Sequence, residues 1–173
     1  MPTTTPAEIT PEITAFCRHI SPAQTPTFVQ VQAEIGAKFF ECYDNVTNKV
    51  ASSGGRALCG WAIWQCNNNN GPLYFDAQHH SVWSKPDGTL LDVSPHLDGA
   101  TQIVFLPDPE HTYQGTRIPN RRLALTDHPL ITEFLAFLEF KDQQHEKCTT
   151  DRVLLANLQN RQLSLELTLG LGD

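Results

Sequence analysis

Cys42, His79, His80 and Asp92 are the residues of this 173-residue chain whose types and spacing suit nucleophilic chemistry. A cysteine attacks a carbonyl as the thiolate. Its acidity rises at a helix N-terminus, where unpaired N–H groups and the helix dipole favour negative charge. Cys42 stands near the start of FFECYDNVTNKVASSGG, a stretch that should begin a helix at about Glu41. A base must take the thiol proton, and a third group must orient that base. The stretch FDAQHHSVWSKPDGTLLDVSP, residues 75–95, offers both.

Leu73–Trp83 and Thr89–Val93 read as two strands around Lys85-Pro86-Asp87-Gly88. With Pro86-Asp87 in a type I turn and Gly88 in the left-handed bulge that often follows, Lys85 pairs with Thr89 and Val82 faces Asp92. Side chains alternate along a strand, so His80 shares a face with Val82 and with Asp92, about one diagonal step away. A carboxylate at that distance can orient an imidazole. A two-residue turn would shift the pairing by one and select His79 instead. Pro-Asp-Gly suits the bulged turn better, which makes His80 the preferred base and His79 the alternative.

The elements that must carry these residues follow from periodicity and punctuation. Residues 1–10 are Thr/Pro-rich and are expected to be a flexible segment, with residues 11–173 forming a single domain. Pro11–Ile20 reads as a helix with Thr10 as cap and Pro11 at its first position. Phe28–Gln32 alternates as a strand does. In the helix from about Glu41 to Ser52, Cys42, Val46 and Val50 recur on one face, and Ser52-Ser53-Gly54-Gly55 ends it. Ala57–Gln65 reads as a buried strand, Asn67–Pro72 as a turn, and Gln102–Leu106 as a further strand. Pro107–Asn120 reads as an ordered loop. A long helix should start near His128, capped by Asp127, with Leu130, Ile131, Phe134, Leu135, Phe137 and Leu138 on its apolar face. The tail, Arg152–Leu171, is leucine-rich and fits helix or strand. Helices, then consecutive strands, then a helix favour an α+β domain: an antiparallel sheet packed against the helix that bears the nucleophile.

Cysteine at a helix start, then histidine and aspartate on adjacent antiparallel strands, resembles the arrangement of papain-like and transglutaminase-like thiol enzymes. HSVWSKPDGTLLDVSP is similar to the transglutaminase-core pattern of His, a nearby Trp, a hairpin, then Asp followed by Pro. CYDNV, then HSV and LLDV, resembles the Cys-Glu-Glu-Asn-Val, His-Val and Tyr-Asp-Leu motifs of the N-terminal glutamine amidohydrolases. The likeness spans about residues 40–95, roughly a third of the chain. Trp83 departs from it, lying three residues after His80 where the transglutaminase core has it two after. The Cys-to-His spacing of 38 residues is short for a transglutaminase and suits the related arylamine acetyltransferases. The resemblance implies Cys42 as nucleophile, His80 as base and Asp92 as orienting acid. It implies a thiol hydrolase of amidase, deamidase or peptidase type, acting through a thioester on a peptide or protein carboxamide without a cofactor. An acyl or amine transferase with the same triad, or a non-catalytic interaction module on the same fold, are the alternatives. By analogy with the glutamine of papain-like enzymes, Gln32 is a candidate oxyanion donor beside the Cys42 N–H; Gln30 and Gln78 are rivals.

Each residue also has a plainer role. Cys42, in line with Val46 and Val50, can be a small core side chain. Trp61 and Trp64 can line a substrate cleft, though packing in a buried strand is the better reading, and Asp76 and Gln78 can border the site or face water. Metal binding is disfavoured: Cys59 and Cys66 are too widely spaced for a Cys-x-x-Cys pair, and His79 and His80 are adjacent. Cys17 and Cys148 have no evident partner. The formal charge of −7 and the absence of basic clusters beyond Arg121–Arg122 argue against nucleic acid. No apolar run approaches the ~20 residues of a membrane span. The start lacks signal-peptide features, and five cysteines fit a reduced, cytoplasmic setting, with leaderless secretion an open alternative.

Overall fold

The computed structural model describes residues 3–146 and 152–171. Its elements run β1 (Thr3–Thr4), α1 (Pro11–Ile20), β2 (Thr27–Val31), α2 (Cys42–Ser53), β3 (Arg56–Asn68), β4 (Gly71–Ser84), β5 (Leu90–Asp92), β6 (Gln102–Pro107), β7 (Arg121–Ala124), α3 (Pro129–Glu146) and α4 (Arg152–Thr168). The fold is mixed α/β, with a seven-stranded, mostly antiparallel sheet. One pairing departs from the expected antiparallel sheet: β2 lies parallel to β5, with Gln30 opposite Leu91 and Val31 opposite Asp92. A parallel neighbour requires a long connection, and here α2, β3 and β4 supply it.

The pairings close on themselves. β3 joins β6, β6 joins β2, β2 joins β5, β5 joins β4, and β4 returns to β3 along its whole length. A small barrel results, whose interior holds Val29, Ala62, Trp64, Val82, Ile103 and Phe105. Alternation along β4 turns His80 inward with Val82 and turns His79 outward. Outside, α1 buries Ile13, Phe16 and Cys17 against Trp61, Ile63, Phe75 and Leu106. Val46 of α2 packs on Trp83, Leu91 and Val93. Beyond the barrel, α3 and α4 cover Cys66 and Tyr74. The ambiguous tail is therefore helical through Thr168, and it neither extends the sheet nor covers Cys42.

Three local readings change. The N-terminal segment, expected to be flexible, contributes a strand: Thr3 and Thr4 pair with Cys66 and Gln65, and Thr5 Oγ1 donates to the Gln102 carbonyl. Residues 121–124, which carry no strong strand signal, add β7 against Tyr74–Ala77. At the start of α3 the Leu130 N–H is taken by His128 Nδ1, and Thr126 Oγ1 accepts from the His128 N–H; Asp127 is not the acceptor in either bond. The α1 boundaries and cap agree with the sequence, with Thr10 accepting from the Ile13 N–H.

Candidate active site

The turn that sets the register has the expected form. Lys85 N–H donates to Thr89 O at 2.9 Å, Gly88 N–H to Lys85 O at 2.9 Å, and Gly88 takes φ +88°, which glycine adopts freely. Trp83 then pairs with Leu91 and Ser84 with Leu90. One residue further along, Val82 comes opposite Asp92. His80 reaches across the diagonal, with Nε2 2.8 Å from Asp92 Oδ2.

The other half of the site comes from α2. β4 pairs with β7 through Ala77 and with β5 from Trp83, so residues 78–82 have no strand partner on that side among the described residues. The N-terminus of α2 fills the gap, where the Tyr43 hydroxyl lies 2.7 Å from His79 Nδ1 and 3.1 Å from the His79 carbonyl oxygen. Cys42, the first helical residue, is thereby brought near enough to His80 to help raise its pKa. The helix is anchored at both ends. Trp83 Nε1–H donates to Gly54 O at 2.8 Å, and Asn45 Nδ2 donates to Lys38 O and Ser94 Oγ while Asn45 Oδ1 accepts from the Lys38 N–H. Between Lys38 and Cys42 the chain turns through Phe40 at φ +63°, a left-handed conformation rare for an aromatic residue.

The electrostatics follow from this packing. Burial alone would lower the His80 pKa. The Asp92 charge and hydrogen bond, together with Cys42, outweigh burial and push it up to about 10. Asp92 is 0% exposed, and burial would raise its pKa. His80, His96 and the Ser94 N–H overcome that and hold the carboxylate well below its usual range. By contrast, burial drives the thiols of Cys17 and Cys66 up to about 12.

His96 has no counterpart in the sequence reading. Its Nε2 lies 2.7 Å from the same Asp92 Oδ2. Ligand atoms of His80, Asp92 and His96, one from each, lie within 4.8 Å of one another, a donor set of the kind that can hold a metal ion. The signal available was the four-residue step from Asp92 to His96 across Pro95, too short to distinguish from a loop. Asn45, one helical turn after Cys42, was missed for a similar reason.

The remaining candidates are dispersed. His79 uses both ring nitrogens elsewhere, with Nδ1 2.7 Å from the Tyr43 hydroxyl and Nε2 2.8 Å from His111 O. Trp61 is fully buried on the His79 side, its Nε1–H donating to Asp108 Oδ2. Trp61 thus packs in the core, the role the sequence favours for it, and it also lines a cleft between α1, β7 and α3. Trp64 shares the inward face, its ring 5.4 Å from His96, with its Nε1 unpartnered. Gln32 is exposed, and its backbone N–H, not its side chain, binds Asp92 O. Gln78 is exposed, and Gln30 leans on Gln102. Asp76 is buried and paired with Arg122 and Asn120, so it borders no site. Cys59 and Cys66 lie an odd seven residues apart on β3, facing opposite ways. Cys148 lies outside the described residues. No described helix is long and apolar enough to cross a membrane.

A cleft of about 740 Å³ lies elsewhere, between α1, β7 and α3. Its lining contains no cysteine, serine or threonine, and its Arg122 and Asp142 are paired with each other. Compared with known proteins, the chain matches no family model, no curated protein and no solved structure.

Proposed function

We propose that the chain is a thiol hydrolase of papain-like or transglutaminase-like architecture, with Cys42 as nucleophile, His80 as general base and acid, and Asp92 as the group that holds His80. One observation carries this reading: the buried His80 imidazole holds the Asp92 carboxylate at 2.8 Å while Cys42, at the start of α2, lies near enough to help raise the pKa of that imidazole. With Nε2–H directed at Asp92, Nδ1 is the nitrogen left for the sulfur. Cys42 Sγ, its proton already held by the His80 imidazolium, attacks a carboxamide carbonyl as the thiolate. His80 then protonates the departing amine, leaving a thioester. Water, deprotonated by His80, cleaves the thioester; an amine in its place gives transfer. The Cys42 backbone N–H, at the helix start, is a donor for the developing oxyanion.

A polypeptide carboxamide, in the backbone or on a glutamine or asparagine side chain, is the substrate class this reading favours. Ile35, Phe39, Phe40 and Leu97 are exposed large apolar residues on the segments that precede Cys42 and follow His96. Phe39 and Phe40 stand together, with ring centroids 6.5 Å apart, and a contiguous exposed apolar patch marks contact with a partner molecule. A non-catalytic module on the same fold would use that surface alone.

The test is the pH dependence of iodoacetamide labelling at each cysteine, read by peptide mass spectrometry. Cys42 should label fastest near neutral pH and slow in His80→Ala, and Cys42→Ser should abolish ammonia release from glutamine- and asparagine-containing peptides. A folded protein whose Cys42 is inert, or whose labelling ignores His80, would sink the proposal.

A further inference from the structure

We infer that His96 is a positioning residue for the Cys42–His80 pair, acting through Asp92; the inference rests on the thiol-hydrolase reading above. Asp92 is completely buried and receives three N–H donors. The Ser94 backbone N–H fixes Oδ1 at 2.9 Å, while the imidazoles of His80 and His96 share Oδ2 at 2.8 and 2.7 Å. A carboxylate held by one backbone donor and one imidazole can still rock about its bond to the chain. The third donor removes that freedom, and so fixes the direction from which Oδ2 receives His80.

His96 is itself held. It follows Pro95, whose ring locks the local backbone. Its ring lies 5.8 Å from that of His80 and 5.4 Å from that of Trp64, and its side chain is 11% exposed. The charged and titratable groups around the cluster are Asp92 from β5, His80 from β4 and Cys42 from α2. Two imidazoles and a carboxylate are also a metal-ligand set. Here, however, each Nε2 stands at hydrogen-bond distance from the same oxygen. A nitrogen that donates its N–H there has no lone pair to give a cation.

The experiment is the pH profile of Cys42 labelling by iodoacetamide in the full chain: wild type, His96→Phe, His96→Gln and His80→Ala, each checked for a cooperative thermal transition. Glutamine keeps an N–H donor near the Nε2 position; phenylalanine keeps only the shape. In His96→Phe the rate at neutral pH should fall about tenfold and the acidic limb should move up by about one pH unit, towards the His80→Ala profile. His96→Gln should recover the wild-type rate to within about threefold. If His96→Phe superimposes on wild type while His80→Ala slows labelling, the inference fails and the thiol reading stands. If His80→Ala also changes nothing, the thiol reading itself fails. A glutamine variant as slow as phenylalanine overturns the donor role. So does protection of Cys42 by added Zn²⁺ that requires His96, which would make the cluster a cation site. Should His96→Phe not fold, His96→Gln against His96→Met decides the same question.

Discussion

The Tyr43 hydroxyl lies 2.7 Å from His79 Nδ1, and that contact divides the work of two adjacent histidines. His79 faces out of the barrel, between Tyr43 and the His111 carbonyl, with its ring edge-on to Trp61 at 5.0 Å. Burial lowers its pKa, so it is held neutral, with Nε2–H donating to the carbonyl and Nδ1 accepting from Tyr43. His80 faces inward, towards Asp92 and Cys42.

This division predicts that His79→Gln leaves the pH profile of Cys42 labelling within about twofold of wild type, since glutamine still offers a donor to the His111 carbonyl. His80→Gln should slow labelling at neutral pH by ten- to a hundredfold, about the range for loss of a general base. Stopped-time alkylation with mass-spectrometric readout of the Cys42 peptide checks both. The reverse ranking would make His79 the base.

The His80–Asp92 pair should also appear in stability against pH. His80 has its folded pKa raised to about 10 from an ordinary value of 6.5. Its contribution is complete below about 6.5 and is lost as pH rises towards 10. Asp92 is shifted the other way, so its contribution is present above about pH 4 and is lost in acid. The melting-temperature gap between wild type and Asp92→Asn should therefore be widest between about pH 4 and 6.5, and narrower at pH 9.5. A gap that is constant across that range would mean that the pair is not charged in the folded state.

Much of this was legible in the sequence because it is local. The Pro86-Asp87-Gly88 turn fixes one register, and the register alone brings His80 to Asp92. The helix at Cys42 announces itself by its period and its closing glycines. Barrel closure was not legible, because it depends on β6 pairing with both β3 and β2, and on β2 pairing with β5, at separations no pattern records. Nor was the break in strand pairing at residues 78–82, through which α2 delivers Cys42 to an inward-facing histidine. His96 was hidden for the same reason: its role depends on where a loop folds back, not on its own neighbourhood in the chain.

Gly60 pairs with His80 across β3 and β4 and is a test of that closure. A Cβ there would lie 2.2 Å from the Leu106 carbonyl oxygen and 2.6 Å from the Phe105 ring. Backbone cannot swing aside as a side chain can. Gly60→Ala should therefore destabilise the fold by about 2 kcal/mol or more, against the small gain expected of Gly→Ala at an open strand position. Urea unfolding measures it. A neutral result would mean that β6 does not press against β3 at the height of His80.

Asn45 and Phe40 predict opposite outcomes for the loop that sets Cys42. Asn45 is buried and makes hydrogen bonds to Lys38 N, Lys38 O and Ser94 Oγ, tying the loop to the helix and to the segment after Asp92. Asn45→Ala leaves those groups without partners, at a cost of about 1–3 kcal/mol. It should also slow Cys42 labelling, because the first turn of α2 loses its anchor. Phe40 is 87% exposed and sits at φ +63°, so removing its ring forfeits little burial and glycine relieves the backbone. Phe40→Gly should leave stability unchanged or raise it by up to about 1 kcal/mol. If its ring serves the substrate, the same variant loses activity on peptides while Cys42 labelling stays as fast as in wild type. Measuring unfolding, labelling and peptide turnover on both variants separates the two roles. A Phe40→Gly protein that is markedly less stable would show that the left-handed turn is not the strained element, and loss of labelling with stability intact would move Phe40 into the machinery that holds Cys42.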